Sequence, residues 1–197
     1  MTARTTHLLY LHGFRSSPAS TKAQLMAQWV QAHRPDLQWL CPQLPPSPSE
    51  AIAGLLALTA GWPAQGSAVI GSSLGGFYAT VVAEDRGWPA VLLNPAVDPA
   101  TSLAHHLGEQ TQWHAPEDHF FFRAEFIEEL RAMTPARISL PERYLAIIAK
   151  GDEVLDWSEM FARYAGAHIK LLEQSDHALS DFDDHLPDLL DHLNLNP

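Results

Sequence analysis

The feature that most constrains this chain is a short apolar run, Ala68–Ile70, that leads directly into Gly71-Ser72-Ser73-Leu74-Gly75 and then into a segment of helical character. A Gly-x-Ser-x-Gly pattern between a strand and a helix is typical of a nucleophile elbow. The turn is so tight that side chains at the two glycine positions would collide. The pattern therefore predicts that Ser73 has strained backbone and a hydroxyl that projects clear of the sheet edge.

Short buried strands alternate with amphipathic helices along the rest of the chain. The strands are predicted from apolar runs: Thr6–Leu11, Gln38–Cys41, Ala68–Ile70, Ala90–Leu93, Tyr144–Ala149 and Ile169–Leu172. Runs of this kind are typical of strands that are buried on both faces of a sheet. Their alternation with helices predicts an α/β fold with a mostly parallel sheet, right-handed crossovers and helices on both faces.

The segment Asp98–Leu140 interrupts this alternation because it is too long for a simple crossover. We interpret it as a cap insertion over the carboxyl ends of the strands, where open parallel sheets carry their sites. No linker or repeat divides the chain, so we predict a single domain over residues 1–197 with the cap at residues 98–140.

A serine hydroxyl becomes an effective nucleophile only when a base removes its proton, and an acid must orient that base. In this architecture both partners should lie in loops after later strands, in the order serine, acid, histidine. Asp152 follows the strand at Tyr144–Ala149, and His177 follows the strand at Ile169–Leu172. This agreement of order and position predicts a catalytic triad of Ser73, Asp152 and His177.

Three other aspartates compete with Asp152 for the role of the acid: Asp98, Asp156 and Asp176. The first follows the preceding strand, the second could cap a helix, and the third is too near His177 in sequence to orient its ring easily. Gly151 allows a tight turn that directs the Asp152 carboxylate inward, so Asp152 is the preferred candidate.

An oxyanion in the proposed site needs two preorganised N–H donors. The N–H of Leu74 begins the helix after the elbow, and the N–H of Phe14 lies in the loop after the first strand; we expect these two groups to be the donors. His12 in the same loop could be mistaken for a catalytic residue or a metal ligand, and we expect its ring to brace the loop instead.

Composition excludes several classes of partner. The net charge of −11 would repel nucleic-acid phosphates and anionic membrane surfaces. The chain shows no signal-peptide pattern and no apolar stretch of about 20 residues, which predicts a cytoplasmic protein without a membrane partner. Its single cysteine, Cys41, fits a reducing compartment. Nothing in the composition indicates the oligomeric state.

The cap segment carries clustered histidines and aromatic residues. His105 and His106 are adjacent and would point in different directions, and no spacing typical of metal ligands occurs. We therefore expect no metal and no other cofactor. Trp113, Phe120–Phe122 and Phe126 are consistent either with ordinary packing or with the apolar wall of an acyl pocket.

These motifs together resemble the α/β-hydrolase superfamily over nearly the whole chain, and more closely the small bacterial YqiA-type esterases. The likeness is carried by Leu9-Tyr-Leu-His-Gly-Phe14 with Ser16-Ser17-Pro18, Pro42-Gln-Leu-Pro-Pro46, Gly71-Ser-Ser-Leu-Gly-Gly76, Asn94-Pro-Ala-Val97, Leu107-Gly108, Gly151-Asp-Glu-Val-Leu-Asp156 and Asp176-His177. Relative to larger members of the superfamily, the first two strands are absent, which leaves an α/β-hydrolase fold with a reduced sheet of about six strands.

The resemblance implies a hydrolase of carboxylic esters, with acyl thioesters such as long-chain acyl-CoA as a further substrate class. It assigns the nucleophile to Ser73, the acid to Asp152 and the base to His177. The same fold also carries peptidases, lyases and peroxidases, and a binding protein could retain the fold without catalysis. The expected partner is a small-molecule acyl ester or thioester substrate. Acyl length, leaving group and physiological substrate stay open.

Overall fold

The central feature of the fold is a parallel sheet, seen in a computed structural model that describes residues 4–196. The strands within this range are β1 (His7–Leu11), β2 (Gln38–Leu40), β3 (Ser67–Ser72), β4 (Ala90–Leu93), β5 (Gly108–Thr111), β6 (His119–Phe122), β7 (Tyr144–Ala149) and β8 (His168–Leu172). Six of them form the central sheet in the order β2-β1-β3-β4-β7-β8, and β5 and β6 form a separate hairpin.

All five neighbouring pairs in the central sheet are parallel. Leu11 pairs with Gly71 across β1 and β3, and Ser72 pairs with Leu93 across β3 and β4. The strands therefore end at a common edge. The loops that follow β1, β3, β4, β7 and β8 all leave from that edge, which is where the predicted site residues occur in the sequence.

Helices cover both faces of the sheet. They are α1 (Thr21–His33), α2 (Pro48–Leu58), α3 (Leu74–Arg86), α4 (Pro99–Ser102), α5 (Ala124–Met133), α6 (Trp157–Arg163) and α7 (Leu186–His192). Local signals set several of these boundaries. The Ser47 hydroxyl accepts a hydrogen bond from the Glu50 N–H at the start of α2, and Gly87, with φ of +73°, ends α3 in the left-handed conformation.

The two faces of the sheet bury separate hydrophobic clusters because side chains alternate along each strand. Leu8 and Tyr10 of β1 pack into one cluster with residues of α1 and α7. Leu9 and Leu11 pack into the other cluster, with residues of α2, α3, α5 and α6. Strands buried on both sides explain why their sequences are apolar throughout.

The cap segment contains a hairpin that the sequence analysis did not predict. Strands β5 and β6 pair antiparallel, from Gly108 opposite Phe122 to Thr111 opposite His119. Each strand has only four residues, and β5 is mostly polar, so the alternation that indicates a strand is too short to stand out. Helix α6 is also short and was not predicted. None of the helices within residues 4–196 has the length and apolar character that a membrane span requires.

Candidate active site

Ser73 lies in the turn between β3 and α3 with φ of +56° and ψ of −121°. L-residues rarely adopt a positive φ, and such strain persists only where surrounding contacts enforce it. Here the Ser73 N–H donates to the Leu93 carbonyl at 3.0 Å, and the Ser73 carbonyl accepts from the N–H groups of Gly76 at 2.9 Å and Ala96 at 3.0 Å. The main chain therefore fixes the turn independently of the Ser73 side chain.

The two glycines of the motif are required by close backbone approach. A Cβ atom added to Gly71 would lie 2.1 Å from the Gly75 carbonyl oxygen, and a Cβ atom added to Gly75 would lie 2.0 Å from the Leu11 carbonyl oxygen. Neither distance is compatible with a side chain. The spacing Gly-x-Ser-x-Gly thus allows α3 to begin directly against β1 and β3.

The structure brings Ser73, His177 and Asp152 together at the sheet edge. His177 Nε2 is 3.1 Å from Ser73 Oγ, and His177 Nδ1 is 2.7 Å from Asp152 Oδ2. A carboxylate can only accept hydrogen bonds, so Nδ1 carries the proton and Nε2 presents its lone pair to the serine hydroxyl. This tautomer is the one that can accept a proton from Ser73.

The Asp152 side chain is fully buried, and its other oxygen is also satisfied. Asp152 Oδ1 accepts hydrogen bonds from the N–H groups of Val154 and Leu155, both at 2.8 Å. The adjacent Gly151 is needed because an added Cβ would lie 2.5 Å from the Ser175 carbonyl oxygen. Gly151 therefore lets the loops that carry Asp152 and His177 approach each other closely.

The competing aspartates have other partners. Asp98 accepts from the Thr101 N–H at the start of α4, and Asp156 accepts from the Ser158 N–H at the start of α6. Asp176 accepts hydrogen bonds from the Ser180 N–H and hydroxyl. Among these carboxylates only Asp152 contacts the His177 ring.

Asn94 is a site residue that the sequence analysis missed. It is fully buried at the end of β4. Its Nδ2 donates to the carbonyl oxygens of Asp176 at 2.9 Å and His177 at 3.1 Å, and its Oδ1 accepts from the Ala149 N–H at 2.8 Å. One side chain thus joins the loop of the base to the strand that leads to Asp152. The signals in the sequence were its position at a strand end and its place in the Asn94-Pro-Ala-Val97 motif.

The proposed oxyanion donors border the cavity beside the serine. Phe14 and Leu74 line the same cavity. Within residues 4–196 neither of their N–H groups donates a hydrogen bond to the protein. A Cβ atom added to Gly13 would lie 3.2 Å from Ser73 Cβ and 3.6 Å from Ser73 Oγ, so the loop that carries Phe14 packs directly against the serine.

His12 braces that loop. Its Nε2 accepts from the Leu44 N–H at 3.2 Å, so Nδ1 carries the ring proton and donates to the Gly13 carbonyl at 3.0 Å. Burial lowers the pKa of His12, which favours the neutral ring that this arrangement requires. The ring has the bracing contacts that we expected from the sequence.

Two adjoining cavities lie at the site, and Ser73 lines one of them. The aromatic cavity, of about 410 Å³, is lined by His12, Gly13, Phe14, Arg15, Ser16, Gln43, Leu44, Pro45, Pro46, Leu74, Tyr78, Gln112, Phe120 and Phe122. The Lys22 cavity, of about 220 Å³, is lined by Tyr10, His12, Gly13, Phe14, Ser16, Ser20, Lys22, Ser72, Ser73, Trp113, His177 and Ala178. Among the aromatic residues of the cap, Phe120 and Phe122 line the aromatic cavity and Trp113 lines the Lys22 cavity. Phe122 and Phe126 also belong to the hydrophobic core.

The cap hairpin is attached to the loop after β1 through Arg15. The Arg15 Nε donates to the Thr111 carbonyl at 2.7 Å, and Nη2 donates to the Thr111 hydroxyl at 3.0 Å. The guanidinium carbon of Arg15 lies 4.1 Å from the centroid of the Trp113 ring. The backbone N–H of Trp113 donates to the Arg15 carbonyl at 2.8 Å. The hairpin is thus held over the sheet edge by several contacts to one residue.

The histidines of the cap do not converge on a common point. His119 Nδ1 lies 2.9 Å from Glu109 Oε1 across the hairpin. The centroids of the His106 and Phe14 rings are 5.5 Å apart. In the part of the chain that the structure describes, no three His, Cys, Asp or Glu residues are arranged to hold a metal ion.

The model of an uncharacterised protein family, UPF0227, matches residues 7–194. Among solved structures, alpha/beta hydrolase domain-containing protein 10 from mouse is similar at 16% identity and a TM-score of 0.71, over 98% of this chain and 92% of that one. One of the metagenome-derived lipolytic enzymes LipS and LipT is similar at 19% identity and a TM-score of 0.70, over 99% and 96% of the two chains. The esterase domain of a Rhodothermus marinus protein is similar at 20% identity and a TM-score of 0.60, over 98% and 86%. The α/β-hydrolase fold predicted from the sequence is confirmed.

Proposed function

We propose, from the premise that this chain belongs to the UPF0227 family of uncharacterised proteins and has an α/β-hydrolase fold, that it is a serine hydrolase of carboxylic esters. The family resemblance predicted from the sequence is confirmed by the match. The observation that carries the proposal is the continuous hydrogen-bonded chain from Asp152 through His177 to Ser73. Three residues that are distant in sequence meet in the order and tautomer that nucleophilic catalysis by serine requires.

The proposed reaction proceeds through an acyl-enzyme. His177 Nε2 accepts the Ser73 proton as Oγ attacks the ester carbonyl carbon, and the N–H groups of Phe14 and Leu74 stabilise the resulting oxyanion. Asp152 stabilises the imidazolium, which then donates its proton to the leaving alkoxide as the ester bond breaks. A water molecule activated by the same histidine attacks the acyl-enzyme, and the carboxylic acid leaves while Ser73 regains its proton.

The aromatic cavity favours a substrate with an apolar acyl group. The acyl group is the part of the substrate that stays bound during both formation and hydrolysis of the acyl-enzyme. Phe14, Phe120 and Phe122 provide its aromatic surface. Leu74, which directly follows Ser73 in the chain, also lines it. Buried apolar surface contributes binding free energy roughly in proportion to its area. The structural neighbours described as lipolytic enzymes and as an esterase domain favour esters as the first substrates to test. Acyl thioesters are a second class with the same acyl chemistry.

The net charge of −11 supports a small acyl ester as the partner, in preference to a nucleic acid or an anionic membrane surface. No step of the proposed reaction requires a metal or an organic cofactor. His177 passes the Ser73 proton to the leaving group, and the attacking water supplies the proton that restores Ser73.

A panel of p-nitrophenyl esters and acyl-CoA thioesters of increasing acyl length tests the proposal, together with labelling by a fluorophosphonate probe. We expect saturable ester hydrolysis and stoichiometric labelling of Ser73, because the probe phosphonylates serines that are activated by a histidine. Absence of both turnover and labelling would favour a binding protein that retains the fold. Turnover of peptides in preference to esters would favour a peptidase.

Asn94→Asp is expected to reduce turnover with only a small change in KM. The new carboxylate keeps an acceptor for the Ala149 N–H but places an oxygen opposite the carbonyls of Asp176 and His177. Displacement of the His177 loop by about 1 Å would lower kcat by roughly 100-fold, and uniform binding of the substrate would be retained. Steady-state kinetics on the best ester of the panel measures both constants.

A buried hydroxyl distant from the site provides the control for Asn94. Thr59 is fully buried and donates to the Leu55 carbonyl at 2.8 Å at the end of α2. Thr59→Val should lower the melting temperature and leave kcat unchanged. If Asn94→Asp behaved in the same way as this control, Asn94 would have no role in positioning His177.

A further inference from the structure

Lys22 is a half-buried cation that lines two cavities: one contains Ser73 and His177, and the other, of about 200 Å³, is also lined by Asp183. It belongs to the first turn of α1, and its ammonium donates a hydrogen bond to the Ala178 carbonyl, immediately after His177. The mechanism proposed above does not use this side chain. Its position beside the proposed base therefore requires a separate explanation.

Lys22 differs from the other lysines of the chain in its partners. Lys150 forms a salt bridge with Glu173 at 2.7 Å, and Lys170 forms one with Asp188. Across residues 4–196, no carboxylate lies within salt-bridge distance of the Lys22 ammonium. The nearby Asp176 carboxylate is engaged by the Ser180 N–H and hydroxyl.

A charge that is partly removed from water is normally paired, because desolvation of the ion is costly. Burial lowers the pKa of Lys22, and the charge of Asp176 only partly opposes that effect. No aspartate or glutamate lines either the aromatic cavity or the Lys22 cavity, although the chain as a whole carries a net charge of −11. The site thus presents a cation without an internal counter-ion.

The division of the catalytic groups between the cavities indicates which part of a substrate would meet Lys22. Ser73 and His177 both line the Lys22 cavity, and neither lines the aromatic cavity. In the proposed reaction His177 donates its proton to the leaving group, so the leaving group has to lie on the His177 side. The acyl group then has the adjoining aromatic cavity, which both proposed oxyanion donors line.

We propose that Lys22 forms a subsite for an anionic group on the leaving group of the ester, a carboxylate or a phosphate. The inference rests on the proposed function and specifies its substrate class: an apolar acyl group joined to an anionic alcohol or thiol. A charge-assisted hydrogen bond from the ammonium to the anion supplies the recognition. The hydrogen bond to Ala178 uses one of the three N–H donors of the ammonium and leaves two for this contact.

Three substrates test the subsite, each with a butanoyl group on a phenol oxygen. Two have an anionic leaving group, 4-hydroxybenzoate or 4-hydroxyphenyl phosphate. The third has a neutral one, methyl 4-hydroxybenzoate. Lys22→Gln keeps a donor for the Ala178 carbonyl but removes the charge. We expect it to lower the ratio of kcat/KM for an anionic ester to that for the neutral ester by roughly 10- to 100-fold, mainly through KM. If the ratio falls only for the carboxylate ester, the subsite binds a carboxylate. If it falls only for the phosphate ester, the subsite binds a phosphate.

Lys170→Gln is the matched control because it removes the same charge from a lysine that lines neither cavity. It should leave the ratio unchanged. If Lys22→Gln lowered kcat/KM equally for all three esters, Lys22 would only support the His177 loop and the proposal would be overturned. An unchanged ratio would overturn it as well.

Binding separates this inference from the proposed function. Calorimetric titration of Ser73→Ala protein with the carboxylate and phosphate esters measures affinity without turnover. We expect the additional Lys22→Gln substitution to weaken binding of at least one anionic ester roughly 10-fold or more. If the wild-type protein hydrolyses none of the esters but this difference is found, the proposed function fails while the subsite stands. Equal affinities would refute the subsite whatever the turnover.

Discussion

Ser73→Ala is expected to reduce kcat for the best ester substrate by roughly 10⁵- to 10⁶-fold, the scale found when the serine of a triad is removed. Without Oγ no acyl-enzyme forms, and only the oxyanion donors and substrate binding remain to accelerate direct attack by water. Stopped assays at high enzyme concentration, with the uncatalysed rate subtracted, measure the residual activity. Labelling by the fluorophosphonate probe should disappear in the same variant.

The fold should survive this substitution because the contacts that hold the turn are made by the main chain. The Ser73 N–H and carbonyl keep their hydrogen bonds to β4, to Ala96 in the loop that follows it and to the start of α3. Ser67→Ala is a suitable control: Ser67 is buried at the opposite end of the same strand and donates to the Pro63 carbonyl at 2.7 Å. It should lower the melting temperature and retain activity. Undiminished hydrolysis by Ser73→Ala would refute the assignment of the nucleophile.

Asp152→Asn is expected to lower kcat by roughly 10³- to 10⁴-fold at neutral pH. The N–H groups of Val154 and Leu155 both point at one oxygen of Asp152, so the asparagine carbonyl has to take that position. Its NH₂ group then faces His177 Nδ1, which must accept a hydrogen bond. The ring proton moves to Nε2, and the histidine can no longer accept the proton of Ser73. The pH dependence of kcat and binding of an unreactive substrate analogue measure the effect.

Asp156→Asn provides the matched control for this substitution. Asp156 is a competing aspartate from the same loop, and it caps α6 through the Ser158 N–H at 2.8 Å. Asparagine caps helices about as well as aspartate, so kcat should stay within about twofold of the wild type. Equal losses in the two variants would indicate that charge in this loop, and not the tautomer of His177, governs activity.

The sheet could be predicted from the sequence because burial on both faces leaves an unambiguous pattern. Ala90–Leu93 and Tyr144–Ala149 are apolar throughout, and the structure has strands with those bounds. Parallel strands also place their following loops at one edge, so the meeting of Ser73, Asp152 and His177 follows from their order along the chain. The order of these residues along the chain was enough to predict that they meet, because the direction of the parallel strands places the loops that carry them at one edge.

The supporting contacts could not be predicted because they depend on side chains that meet only after folding. Asn94 contacts Asp176 and His177, which lie 82 and 83 positions later in the chain. Lys22 reaches Ala178 across 156 positions. No local pattern encodes either distance. The hairpin of β5 and β6 was not predicted for a different reason. Its strands have only four residues each, which is too short for an alternation of apolar and polar residues to be identified.

The contacts of Arg15 restrict how far the cap hairpin can move. Arg15 directly follows Phe14, so the residue that holds the hairpin adjoins a proposed oxyanion donor. A lid swinging on a hinge would have to break both guanidinium hydrogen bonds and unstack Trp113 in one movement. We therefore expect the hairpin to stay in place when a substrate of the proposed reaction binds.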